Sequence, residues 1–111
     1  MMQICEGKSV TQGIAIGKIV SVTKGKSLPE KISKDDILLL ENSDPVNAIL
    51  IMDAGGVVIK EGGVLAHTCL LALEMGIPCI TQVGEDTEIQ DGGMVLLNAG
   101  EGKVYKYDSK S

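Results

Sequence analysis

The alternation of apolar and polar positions divides this chain into short elements with clear punctuation. The stretch Gly13–Val22, GIAIGKIVSV, alternates loosely and is rich in β-branched residues, which predicts a strand. Residues 23–34 are polar, with Gly25 and Pro29, and read as a loop. The run Ile37–Leu40, ILLL, is continuous, apolar and bounded by polar residues, as in a strand buried on both faces. Asp44 followed by Pro45 predicts a helix start, with Asp as N-cap and Pro at the first helical position, and Gly55 ends that helix. Gly56–Lys60 predicts another buried strand, and Glu61-Gly62-Gly63 a turn. Ala66–Met75 reads as a helix stopped by Gly76, with Pro78 just beyond. Cys79–Val83 suggests a strand, and MVLLN and KVYKY, joined across AGEG, a closing hairpin.

Strands thus alternate with helices in the middle, and strands dominate the two ends. That order predicts an α/β fold in which helices cover a mixed sheet, rather than a doubly wound parallel one. A length of 111 residues suits one compact domain, here 1–111. With two Tyr, no Phe and no Trp, the core must come from Ile, Leu, Val, Met and Ala, and Met52, Met75 and Met94 are expected to fill it.

Charge narrows the partners. The net charge is −5 and there is no Arg, so neither nucleic acid nor an anionic membrane surface is an expected partner. No apolar run approaches the roughly 20 residues that span a bilayer, and the start MMQICEGKSV lacks a secretory signal; a soluble, cytoplasmic protein is expected. Cys5, Cys69 and Cys79 form no Cys-x-x-Cys pair, and with one His they make no zinc set, so no metal is expected and the thiols read as reduced and buried. The acidic loop carrying Glu85, Asp86, Glu88 and Asp91 reads as a solvated surface.

Candidate chemistry concentrates in residues 61–78, EGGVLAHTCLLALEMGIP. A Gly-rich turn feeds a helix whose first turn holds His67, the only histidine. Helix N-termini present unpaired N–H groups and a positive dipole end, which favour an anion. An imidazole with its ordinary pKa of about 6.5 is a competent nucleophile near neutral pH. Nucleophile and anion cradle together are what a phosphohistidine requires. The bland alternative is a histidine that merely lies near a helix start. No Gly-Lys-Ser/Thr follows the glycines, so this is not a Walker A loop.

The segment resembles the phosphohistidine swivelling domain, the mobile domain of phosphoenolpyruvate-utilising enzymes such as phosphoenolpyruvate synthase, pyruvate phosphate dikinase and enzyme I of the sugar phosphotransferase system. Gly62, Gly63, His67, Ala72, Glu74, Gly76, Ile77 and Pro78 fall in register with the family pattern. GIAIGKIV resembles its opening strand, the stretch from Ile37 to Gly63 its strand–helix–strand lead-in, and DGGMVLLNAGEGKVY its closing hairpin, so the likeness covers roughly residues 10–107. The resemblance implies a swivelling β/β/α fold. It makes His67 the phosphoryl acceptor, with Gly62 and Gly63 as the phosphate-side turn and Thr68 as a hydroxyl donor to the phosphate. It implies no stably bound cofactor, only a covalent phosphohistidine intermediate. Donor and acceptor sites would lie on separate ATP-grasp or phosphoenolpyruvate-binding barrel subunits.

The chain departs from the family at two positions. Ala66 stands where a Ser, Thr or Cys is usual, so hydroxyl help from that position is absent. Leu73 replaces an arginine, about 120° around an ideal helix from His67. These departures suit the alternative of a non-catalytic docking or regulatory module, like the swivelling-type extra domain of some pyruvate kinases. Glu74, two turns beyond His67, is expected on an exposed rim.

Overall fold

A computed structural model describes residues 2–22, 31–42, 48–63, 66–84 and 89–107. Its elements in chain order are β1 (Gln3–Glu6), β2 (Lys8–Thr11), β3 (Ile14–Val22), β4 (Asp36–Leu40), α1 (Ala48–Asp53), β5 (Gly56–Ile59), α2 (His67–Met75), β6 (Cys79–Thr81), β7 (Met94–Asn98) and β8 (Lys103–Lys106). The eight strands make one mixed sheet in the order β1-β8-β7-β3-β4-β5-β6-β2. Strands β3 to β6 run parallel, linked through α1 and α2, while β7, β8, β1 and β2 pair antiparallel. The expected mixed-sheet α/β fold is what the chain adopts.

The parallel strands are buried on both faces, and period-two alternation sorts their side chains into two cores. Leu38, Leu40, Val57, Ile59 and Cys79 face α1 and α2, where Ile51, Cys69 and Ala72 complete the packing. Ile37, Leu39, Val58 and Ile80 face the other way, onto Val95, Leu97 and Val104 of the closing hairpin. The result is three layers: hairpin sheet, parallel sheet, helices. Strand β3 joins the first two, because Ile14–Lys18 pairs with β7 while Lys18–Val22 pairs with β4.

Strands β1 and β2 are the part that the hydrophobic pattern does not reveal. QICE and KSVT are short and half polar, and the family's opening strand was expected only at GIAIGKIV. They occupy opposite ends of the strand order yet are separated by Gly7 alone, so the sheet closes on itself there. The Gly7 N–H donates to Gly102 O at 2.7 Å. A Cβ on Gly7 would collide with the Thr81 carbonyl at the end of β6, and one on Gly102 with the Gly7 carbonyl. Three backbones therefore meet at a point that has no room for a side chain.

Several expectations change in detail. Helix α2 ends as anticipated, with Gly76 left-handed at φ 71° and its N–H on Ala72 O and Leu73 O. The Asp44-Pro45 start lies outside the described residues. The strand expected over Cys79–Val83 stops at Thr81. Met52, Met75 and Met94 are 49%, 41% and 41% exposed, so they are not core fillers; branched residues at neighbouring positions fill both cores instead. Asp91 belongs to a turn and accepts the Ser21 N–H at 2.8 Å, tying the loop to β3, whereas residues 85–88 lie outside the described set. Cys69 and Cys79 are buried and Cys5 is half-buried, and none of the three is in a disulfide. No helix among the described residues is long and apolar enough to cross a membrane.

Closure through Gly7 generates a direct prediction. Gly7→Ala should lower unfolding stability by about 1–3 kcal/mol or more, because backbone must move to admit the methyl. Met52→Ala, on the exposed face of α1, should change it by about 0.5 kcal/mol or less. Urea titration of both variants checks the contrast, and equal midpoints would refute the closure argument.

Candidate functional site

The site forms where the carboxyl ends of β4, β5 and β6 emerge, the usual place for ligands in parallel α/β sheets. Chain continuity brings α2 there: β5 ends at Ile59, and α2 begins at His67. Strand-like hydrogen bonds continue past the strands and hold this edge together. Lys60 N–H donates to Leu40 O at 2.9 Å, Glu61 N–H to Glu41 O at 3.1 Å, and Gly84 N–H to Lys60 O at 3.2 Å. The Lys60 ammonium and Glu41 carboxylate face each other at 3.9 Å, a partly exposed pair of small energetic weight.

Gly62 adopts φ 139°, a conformation that L side chains rarely take, and its carbonyl accepts the Thr81 hydroxyl at 3.0 Å. This bond pins the turn to β6. Thr81 is buried, and no sequence signal marked it. Gly63 differs, since a Cβ there would meet nothing within 4 Å. The packing of the chain does not demand glycine at 63; its absence of a side chain leaves open space beside the helix entry.

Ala66 is the N-cap in extended conformation, φ −64° and ψ 155°, and provides no side-chain cap. The helical ladder starts with Leu70 N–H on Ala66 O at 3.0 Å. The N–H groups of His67 and Thr68 therefore have no intrahelical acceptor, and the first turn contains no acidic residue that would compete with an anion. The departure at Ala66 thus has a geometric consequence: a Ser or Thr there could cap the helix, and an Ala leaves the donors open.

At about 100° per residue, positions 68, 69 and 72 share the inward face of α2, and all three are buried. His67 lies on the opposite, exposed face with Leu70, Leu73 and Glu74. Glu74 is on the rim, as anticipated. Leu70 and Leu73 are 45% and 53% exposed, an apolar flank beside the histidine that no expectation from the sequence included. Neighbouring Ile49 and Met52 on α1, which packs against α2, are exposed as well.

Thr68 is where geometry and expectation diverge. Its side chain is wholly buried, and its hydroxyl has no hydrogen-bond partner among the described residues. The Thr68 hydroxyl lies on the buried face of α2 and His67 on the exposed one. The Gly62 turn, His67 and the open first turn are together at one edge; Thr68 lies beneath it. Among the described residues no group of His, Cys, Asp and Glu is arranged to hold a metal ion.

Comparison with known proteins follows from this geometry. Residues 32–102 match the family model for the mobile domain of PEP-utilising enzymes. A phosphoenolpyruvate synthase of Aeropyrum pernix is 29% identical over 103 residues, covering 92% of this chain and 13% of its own length. A pyruvate kinase of Lactobacillus delbrueckii subsp. bulgaricus is 28% identical over 105 residues, covering 94% of this chain and 18% of its own. The chain therefore spans less than a fifth of these relatives. In structure it is similar to aconitase X of Thermococcus kodakaraensis, with a TM-score of 0.72, 17% identity, and coverage of 94% and 98% of the two chains; that likeness concerns the fold alone. The matched segment takes in both helices, the parallel strands β4 to β6 and the histidine edge, and the chain belongs to the family of PEP-utilising enzyme mobile domains.

Proposed function

We propose that this domain carries phosphoryl groups, with His67 as a transient phosphohistidine shuttling between a nucleotide or phosphoenolpyruvate site and an acceptor on partner subunits. The observation that carries the reading is the placement of His67: exposed, the first residue of α2, at a helix start whose N-cap, Ala66, supplies no side-chain cap. Relatives named phosphoenolpyruvate synthase support the chemistry.

The step itself is simple. A ring nitrogen attacks the donor phosphorus, the bond from phosphorus to the donor's leaving oxygen breaks, and the phosphoryl group becomes bonded to nitrogen. The transferred oxygens then meet the uncapped N–H groups of the first turn. Gly62 holds the turn in register, and Gly63 keeps the approach open. The return step reverses this at a second site. The apolar flank of Leu70 and Leu73 provides contact area for each partner in turn, in place of the arginine that the family carries at 73.

A second reading has its own support. A pyruvate kinase relative aligns over most of the chain, and Ala66 and Leu73 depart from the phosphocarrier pattern. Under it, the same exposed helix face docks a neighbour without chemistry. Phosphorylation separates the two.

The carrier reading predicts acid-labile, alkali-stable label when the chain is incubated with ATP or phosphoenolpyruvate and its partner subunit. His67→Ala should abolish that label; undiminished label on the variant, or none on the native chain, would favour the docking module. Thr68→Val should label as the native chain does and gain about 1 kcal/mol of stability, since an unpaired buried hydroxyl is removed. Slower labelling of a folded Thr68→Val protein would restore the hydroxyl to the phosphate. Leu73→Asp should raise the KM for the donor subunit roughly tenfold with kcat little changed, the scale of one interface contact worth about 1–2 kcal/mol. Steady-state kinetics against donor concentration reads this out.

A further inference from the structure

The core between the hairpin sheet and the parallel sheet is open at one end. Buried Val95 of β7 and half-buried Ile4 of β1 belong to that core, and both line a cavity of about 480 Å³. A cavity of this volume is within the range of small-molecule sites. Exposed Met2 and Met94 stand at its rim. Backbone hydrogen bonds tie its walls together: Lys106 N–H donates to Met2 O at 2.7 Å, Tyr107 N–H to Met94 O at 3.0 Å, and Gly93 N–H to Gln90 O at 3.0 Å. The recess is therefore built into the fold. No lining residue belongs to α1, α2 or the histidine edge.

We propose that this cavity binds a medium-chain monocarboxylate, its hydrocarbon tail against Ile4, Val95 and the two methionines and its carboxylate beside the Lys106 ammonium. The Tyr107 hydroxyl and the Gln90 amide are the neutral donors to the same head group.

The lining selects this chemistry. Its polar side chains are Gln90, Lys106 and Tyr107, and among the described residues none of them makes a side-chain hydrogen bond or an ion pair. No acidic side chain lines the cavity; Asp91, next to Gln90 in sequence, accepts the Ser21 N–H instead. On a chain of net charge −5, an apolar recess with an ammonium and no carboxylate is a local exception. A monocarboxylate brings the single negative charge that one ammonium balances, and its oxygens accept from N–H and O–H donors alike. A phosphate would bring more charge to the same lone cation, and a plain hydrocarbon would make no use of it. The tail gains by leaving water for the apolar lining. Methionine side chains adapt to irregular shapes, so the site reads tail length more than branching.

Titration of the full chain with octanoate, followed by amide NMR, tests the site. Saturable shifts are expected at Gln90, Gly93, Met94, Val95, Lys106 and Tyr107, with a Kd on the order of 1 mM. Each methylene removed from the tail should weaken binding about fourfold. Lys106→Met should weaken octanoate about fivefold and leave octanol unchanged, since only the ion pair is lost. Octylamine should bind the native chain at least about fivefold more weakly than octanoate. Met94→Glu, on the exposed rim, should weaken octanoate and spare octylamine. No saturable shift at these amides, or equal shifts at Leu70 and Leu73 on the helix face, would overturn the site. Equal affinity for octanoate and octylamine, or native octanoate affinity in both variants, would overturn the carboxylate. The titration reads neither His67 nor its phosphate, so it stands or fails apart from the carrier reading.

Discussion

The whole architecture depends on a backbone contact without side chains. At Gly7 the chain passes from β1, on one end of the strand order, to β2, on the other, while Gly102 and the Thr81 carbonyl press against the same point. If a methyl group intervened, the hairpin sheet and the parallel sheet could not both be satisfied by residues 3–11. The closure has two further effects. It removes most of the free sheet edge that an open eight-stranded sheet would expose. It also holds β6 from its outer side, so that Thr81 meets Gly62. The turn that feeds the histidine helix is thus tied, through one hydroxyl, to the same strand that seals the fold.

This coupling explains how a small domain can present an exposed histidine without losing definition. The inward residues of α2 are all committed to the core, and its last turn is fixed by Gly76. Only the outer face and the first-turn N–H groups are left for partners. The apolar exposure is concentrated there, on Ile49, Met52, Leu70 and Leu73, with a second strip on the outer face of the hairpin sheet at Ile14, Ile16 and Met94. Helix face and sheet face lie on opposite sides of the three layers. Under the carrier reading, contact area of this kind would lie on the side that bears His67.

Much of this was legible in residue patterns. ILLL and GVVI announced strands buried on both faces, Gly76 and Pro78 announced the end of α2, and the Gly62-Gly63 pair announced the turn ahead of the His67 helix. What escaped was set by tertiary contact. QICE and KSVT acquire strand character only from partners far away in sequence, such as Thr11 with Cys79 and Gln3 with Tyr105, so no local period betrays them. Met52, Met75 and Met94 look like core residues by type, yet their positions fall on outward faces, which composition cannot reveal. The family resemblance offered the Thr68 hydroxyl to a phosphate on His67, yet the Thr68 side chain is buried. On a helix one residue is a turn of about 100°, enough to put one side chain outside and the next in the core.

The departures at Ala66 and Leu73 bear on how tightly such a site could hold its cargo. A phosphoryl group on His67 would add negative charge to a chain that already carries −5 and has no arginine. With Ala66 as N-cap and Leu73 on the outer face, the local stabilisation comes from backbone N–H groups and the helix dipole, worth about 0.3–1 kcal/mol for an exposed charge. An arginine fork would bind the group more strongly and more specifically. For a carrier, weak holding is compatible with function, because the group must leave as readily as it arrives, and the partner that receives it can supply the cations. The demand on this chain is then geometric rather than electrostatic: keep the imidazole outward, keep the first turn open, and offer an apolar surface that more than one partner can meet. Those are the features that the histidine edge displays, and they remain in place even though two of the family's usual polar groups have been replaced.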